Sequence, residues 1–294
     1  LDLNTTASDG NPAILLTFDV EDWFQVENLK SRIPVSSWHQ RELRVEKNTR
    51  RILDLLDGLA PVPKATFFVL GWVADKCPGL VKEIAYRGHE VASHGHGHQM
   101  CTQMNPKDLT RDLEKSKKQL EDLVGAQICG YRAPNFSITA QALDLVRQAG
   151  YRYDASYNSF SGHGRYGILD LSGWVKRYNC FCLSPDFYEV PVSNLHMQGR
   201  VWPLGGGGYF RLMPFPFFKA GMHQVLKKEN AFVFYAHPWE FDPDQPRVKG
   251  VPKWLAFRHY TGLSRTAAKL KALVTAFNRS RFPTITGFLA QMPC

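Results

Sequence analysis

The stretch RGHEVASHGHGHQM, residues 87–100, decides how the chain is read. Its first half, HEVAS (89–93), follows Gly88 and has the form of a short buried strand. Its second half places His94, His96 and His98 at the C-terminal end of that strand. On one helical turn His94 and His98 would share a face, with Cβ atoms about 5–6 Å apart. Two imidazoles at that separation can ligate one ion, each nitrogen roughly 2.0–2.1 Å from zinc. A strand would also align all three histidines, but with both glycines on the opposite face, and glycine weakens strand interiors. Alone, the spacing fits a solvated histidine-rich loop as well as it fits a ligand pair.

Upstream, AILLTFD (13–19) reads as a fully buried strand that ends in Asp19, Glu21 and Asp22. Carboxylates placed where a buried strand emerges are costly unless paired or metal-bound, so the cluster is a candidate site. A helical pattern over 46–58 carries Ile52, Leu53, Leu55 and Leu56 on one face, and ATFFVL (65–70) is a second buried strand. Downstream, Asn105 and Pro106 open a helix as N-cap and first helical residue, and it runs to Gly125. ICGYR (128–132) is a strand ending in Arg132 and leading to Asn135; Thr139 caps a helix closed by Gly150; YRYDAS (151–156) is a strand carrying Asp154. Residues 157–230 are less regular and contain strand-like YEVPVS (188–193), the run Gly205–Gly208 and LMPFPFF (212–218). AFVFYAH (231–237) is a late buried strand ending in His237, and an amphipathic helix over 264–278 follows.

Strands alternating with helical segments indicate parallel βα units. The expected fold is α/β, a single distorted (β/α) barrel of about seven parallel strands over 13–294, preceded by a poorly ordered arm at 1–12. Asp19, the His94/His98 pair, Arg132, Asp154 and His237 all fall at C-terminal strand ends. In a parallel barrel those ends share the face where active sites are built. Singly, Arg132 reads as a surface ion pair, Asp154 as a turn residue and His237 as a core histidine; together they favour a metal-centred site.

The chain has 294 residues, 44% hydrophobic and 21% charged, as in a soluble globular protein with a sizeable core. A net charge of +9 suits an anionic polymer or surface. Its lysines and arginines are scattered and no nucleic-acid motif accompanies them, so they read as solvated charge and no nucleic-acid partner is expected. No apolar run reaches the roughly 18 residues of a transmembrane helix. Residues 1–12 do not read as a secretory signal, which points to the cytoplasm; a leader removed ahead of Leu1 would place the protein in the periplasm or outside. Six cysteines without a CxxC pair read as reduced thiols.

The set TFDVED (17–22), HGHGH (94–98), GYRAPNFS (130–137), GYRYD (150–154) and FYAHPWE (234–240) resembles the polysaccharide deacetylase family, carbohydrate esterase family four with its NodB-homology domain. DVEDWF, GGGGYFR and HPWEFDP further resemble the subgroup found with bacterial exopolysaccharide synthesis. The resemblance implies a distorted (β/α) barrel and removal of N-acetyl groups from an N-acetylated oligo- or polysaccharide. It also implies a divalent metal, usually zinc, held by His94, His98 and one acid. Asp22 is preferred for that acid because the family uses aspartate; Glu21 is the alternative, sharing a strand face with Asp19. Asp19 matches the catalytic base, with Arg132 pairing it; His237 matches the general acid, with Asp154 keeping it protonated. Asn135 stands where the family supplies a backbone N–H to the oxyanion. Tyr209 and Trp239, together with Trp202, are candidates for stacking on sugar rings. Other readings are a same-fold hydrolase of a small amide or cyclic imide, and a sugar-binding protein without catalysis.

Overall fold

A computed structural model describes residues 10–160, 162 and 166–292. Its strands are β1 (Ala13–Val20), β2 (Ala65–Val69), β3 (Glu90–Ser93), β4 (Gly130–Tyr131), β5 (Tyr153–Asp154), β6 (Val175–Arg177), β7 (Cys180–Ser184), β8 (Phe187–Glu189), β9 (Asn194–Met197), β10 (Arg200–Pro203) and β11 (Ala231–Ala236). One sheet runs β11-β1-β2-β3-β4-β5-β8-β7-β6, parallel from β11 through β8 and antiparallel beyond; β9 and β10 form a separate hairpin. The seven parallel strands curl into an incomplete barrel, the expected α/β class.

Its edges meet through a seam. Ser193 N–H donates to Val233 O, Gly205 N–H to Ser193 O, and Tyr235 N–H to Gly205 O. A Cβ at Gly205 would lie 2.6 Å from Val233 O, so this approach of three backbones requires glycine there. Strand β8 stops at Glu189 because Pro191 has no N–H to offer a ladder.

Helices α1 (Val45–Asp57), α2 (Gly71–Lys76), α3 (Pro78–Tyr86), α4 (Pro106–Val124) and α5 (Ala140–Gln148) join the first five strands. The Asn105 side chain accepts from Asp108 N–H to start α4, and Gly125, at φ 68°, ends it in the left-handed conformation that suits glycine. Strand β1 is buried along both faces. Ile14, Leu16, Phe18 and Val20 pack in the larger apolar core with residues of α1, α3 and α4. Ala13 and Leu15 belong to a second core with Phe68, Ala92, Tyr153 and Val233. Thr17 and Asp19 continue that inner face, so polarity rises along it toward the strand's C-terminal end.

The irregular region holds two helices that the sequence reading left out, α6 (Gly207–Leu212) and α7 (Phe215–Glu229), and a third, α8 (Lys253–Tyr260), follows β11. Pro214, Pro216 and Pro252 stand at N-caps or in first turns, where a missing N–H costs nothing. Helices α9 (Thr266–Ala276) and α10 (Ile285–Leu289) end the fold. Of the arm expected over 1–12, residues 1–9 lie outside the described residues; the carbonyls of Asn11 and Pro12 accept from Arg281. Cys77, Cys101, Cys129 and Cys180 are free thiols, whereas Cys182 is disulfide-bonded, a departure from the all-reduced expectation.

Candidate active site

The HGHGH segment is neither helix nor strand. Gly95 at φ 72° and His98 at φ 56° turn the chain back, so the His94 and His98 rings face each other with centroids 5.4 Å apart. Asp112 on α4 anchors the turn by accepting His96 N–H at 2.9 Å and Gly97 N–H at 3.3 Å. His96 leaves the pair, its Nε2 lying 3.3 Å from Asp75 Oδ2. His94 Nδ1 is 2.8 Å from Arg132 O; a carbonyl only accepts, so Nδ1 carries the proton and the Nε2 lone pair is free for a ligand role. Burial, only partly offset by the Asp19 charge, holds the His94 imidazole neutral, with its pKa down at about 4.

Glu21 is the acid that joins them. One ligand atom each from Glu21, His94 and His98 lies within 4.8 Å of the others. His98 Nε2 approaches Glu21 Oε2 to 2.7 Å, yet Oε2 is buried with no hydrogen-bond partner of acceptable geometry. Burial alone would raise the Glu21 carboxyl, but the charges of His98 and His237 outweigh it and hold it at about 2. Asp22, the preferred ligand on sequence grounds, is engaged elsewhere. Its Oδ2 accepts Arg44 N–H at 2.7 Å and Val45 N–H at 2.8 Å at the start of α1, and its Oδ1 accepts Trp23 N–H. The alternation of β1 carries one residue past its end: Glu21 keeps the inner face of Asp19, and Asp22 turns outward onto a helix N-terminus.

Asp19 and His237 flank this trio. Arg132, fully buried, donates from Nη1 to Asp19 Oδ1 at 2.7 Å and to Thr17 Oγ1, and from Nε to Ala155 O, with its Cζ 4.1 Å from the Phe68 ring centroid. His237 Nε2 lies 3.5 Å from Glu21 Oε1 and 3.9 Å from Asp19 Oδ2. Burial pulls its pKa down, but the carboxylates of Glu21, Glu240 and Asp19 outweigh that and hold it at about 9.

The partner expected for His237 was Asp154, and the structure replaces it with Glu240. Glu240 Oε1 accepts from His237 Nδ1 at 2.8 Å, while Arg211 Nε donates to Oε2 at 2.6 Å. The signal was present in HPWE: a residue at N-cap and a glutamate three later form a capping box, so the side chain returns to where it started. A Cβ at Gly207 would lie 2.2 Å from Glu240 Oε1, so the glycine run also leaves room for this carboxylate. Asp154 sits on the barrel's other flank. It accepts from the Ser156 hydroxyl and N–H, and that hydroxyl accepts Ala133 N–H, which braces the turn carrying Asn135. Burial raises its carboxyl, as it raises that of neighbouring Glu189.

Asn135, at φ 55° and ψ 22°, lines a cavity of about 90 Å³ with Asp19, Glu21, His94, His98 and His237. Trp239 also lines it but is only 6% exposed, stacked with His237 and His259 and donating Nε1–H to Glu21 Oε1 at 3.3 Å. It supports the acid instead of offering an open sugar platform. Tyr209 stands next to cavity-lining Gly208, edge-on to Phe160 and under the Arg258 guanidinium. Trp202 is half-exposed on the β9–β10 hairpin.

Two neutral-capable imidazoles and a buried carboxylate oxygen without a hydrogen-bond partner suit a divalent cation, with positions left open as in catalytic sites. The family described as polysaccharide deacetylase matches residues 7–153, and a domain of unknown function matches 155–288. Strands from both segments share one sheet, with β11 beside β1. A peptidoglycan deacetylase-like protein of Gibberella zeae is 34% identical over 113 residues, 38% of this chain and 32% of that protein. A peptidoglycan-N-acetylglucosamine deacetylase of Bacillus cereus is 30% identical over 123 residues, 37% of this chain and 45% of its own length. This chain thus spans less than half the length of these curated relatives. A solved Mycobacterium smegmatis structure described as a polysaccharide deacetylase superposes with TM-score 0.65 at 18% identity, covering 97% of this chain and 92% of the other.

Proposed function

The chain belongs to the polysaccharide deacetylase family, and on that premise we propose that it is a metal-dependent hydrolase that removes N-acetyl groups from N-acetylated sugars. The substrate is an oligo- or polysaccharide of bacterial origin, in the setting of exopolysaccharide synthesis that the DVEDWF and HPWEFDP forms resemble. The observation that carries this reading is the convergence of Glu21, His94 and His98, with an arginine-paired carboxylate on one side and a carboxylate-paired imidazole on the other.

Glu21, His94 and His98 would hold the ion, zinc by preference. When bound, such an ion polarises a carbonyl and makes a water acidic enough to ionise near neutral pH. Asp19 takes the proton of the attacking water. Arg132 keeps that carboxylate aligned through Oδ1, which leaves Oδ2 facing the cavity side occupied by His237. The backbone N–H of Asn135 meets the oxyanion. His237, kept charged by Glu240, delivers a proton to the departing amine, which leaves poorly without one.

Incubation with N-acetylglucosamine oligomers is expected to release acetate. Chelation should stop the release and added zinc should restore it. Binding of the oligomers without acetate release by metal-loaded protein would overturn the catalytic reading and favour a sugar-binding role.

A further inference from the structure

Helix α8 and the loop leading into it carry a surface that the chemistry above does not use. Trp254 and Phe257 stand 65% and 62% exposed, three residues apart on α8. Lys249 and Lys253 beside them are exposed, and a Cβ at Gly250 would lie 3.3 Å from Arg32 Cζ, which brings a further guanidinium to the same loop. From Gln245 to Tyr260 the sequence holds four lysines and arginines, Arg247, Lys249, Lys253 and Arg258, and no aspartate or glutamate. The loop is pinned from beneath. Val248 N–H donates to the Tyr260 hydroxyl at 2.9 Å, and Val248, Val251 and Tyr260 pack on the cluster around Trp23, Trp38 and Trp239. Arg258 and His259 on the same helix line the catalytic cavity, so whatever receives the two aromatics is brought to the cavity mouth.

We propose that this patch seats the protein on an anionic lipid bilayer, with Trp254 and Phe257 entering the headgroup layer and the basic side chains meeting lipid phosphates. Large exposed aromatics rimmed by lysine and arginine have the composition of an interfacial anchor. The four basic residues within 247–258, with no acid among them, complement the negative surface potential of acidic lipids. A glycan fits less well: residues 246–260 contain no Asp, Glu, Asn or Gln to accept from sugar hydroxyls, and Phe257 has no polar tip.

The test is co-sedimentation of the full chain with phosphatidylcholine vesicles and with mixed phosphatidylcholine–phosphatidylglycerol vesicles. The protein should pellet with the mixed vesicles and be released by salt. Each lysine near an anionic surface contributes about fivefold in partitioning, so Lys249→Gln with Lys253→Gln should lower it about 25-fold. Trp254→Ala with Phe257→Ala should abolish pelleting, while acetate release from a soluble oligomer is unchanged in both variants. The tryptophan emission lost in Trp254→Phe should shift to the blue on vesicle binding. No pelleting with the mixed vesicles overturns the proposal, as does pelleting of the two double variants equal to that of the unaltered chain. Displacement by a soluble acidic polysaccharide without any Trp254 shift also overturns it and assigns the patch to a glycan.

Discussion

Glu21→Ala is expected to strip the protein of its divalent ion and its turnover together, while Asp22→Ala keeps the ion. Both residues are buried acids at the end of β1, and only their partners distinguish them. Glu21 faces His94 and His98 with an oxygen that nothing else satisfies. Asp22 has its lone pairs occupied by three backbone N–H groups. Losing one of three ligands should weaken metal binding by more than the 10–100-fold typical of outer-shell partners. Losing Asp22 leaves those N–H groups without their charged acceptor, at about 1.5–3 kcal/mol for such a bond. Metal content after desalting separates the variants: Glu21→Ala near zero and Asp22→Ala near one ion per chain, with the second showing its defect in urea unfolding.

His237→Ala is expected to lower kcat by about 10²–10⁴-fold with the bound ion retained, the usual contribution of a positioned proton donor. Glu240→Gln tests how that donor is kept charged. The carboxylates around His237 raise its pKa, so the active imidazolium is present below that pKa and lost as pH rises through it. Replacing the Glu240 carboxylate with an amide removes one of those charges, and the basic limb of the rate profile should move to lower pH. Activity near pH 6 should then fall less than activity near pH 8. Asp154→Asn, remote from His237, should leave that limb in place; a limb shifted by Asp154→Asn and untouched by Glu240→Gln would reverse the assignment.

How far the sequence carried these conclusions follows from what each pattern encodes. Buried runs such as AILLTFD and AFVFYA announced strands, and their parallel order made one face of their C-terminal ends. That rule names a face but no neighbours. Asp154 and His237 both lie on that face, yet β5 and β11 are separated by β1, β2, β3 and β4, and the acid beside Asp154 is Glu189 on β8. Glu21 against Asp22 turned on whether strand alternation persists for one residue beyond the last ladder bond. Trp239 shows a different limit: an aromatic beside a motif reads alike whether its ring is open to a sugar or stacked between imidazoles. The helices at 215–229 and 253–260 were hidden because prolines that start helices look like prolines that break them, and the one at 207–212 because it opens inside a glycine run.

Diffraction from metal-loaded crystals, recorded on both sides of the zinc absorption edge, tests the central claim most directly. An anomalous peak is expected at roughly 2.0–2.2 Å from the Nε2 atoms of His94 and His98 and an oxygen of Glu21. A peak at Asp22 instead, or none among these three residues in fully loaded protein, would contradict it.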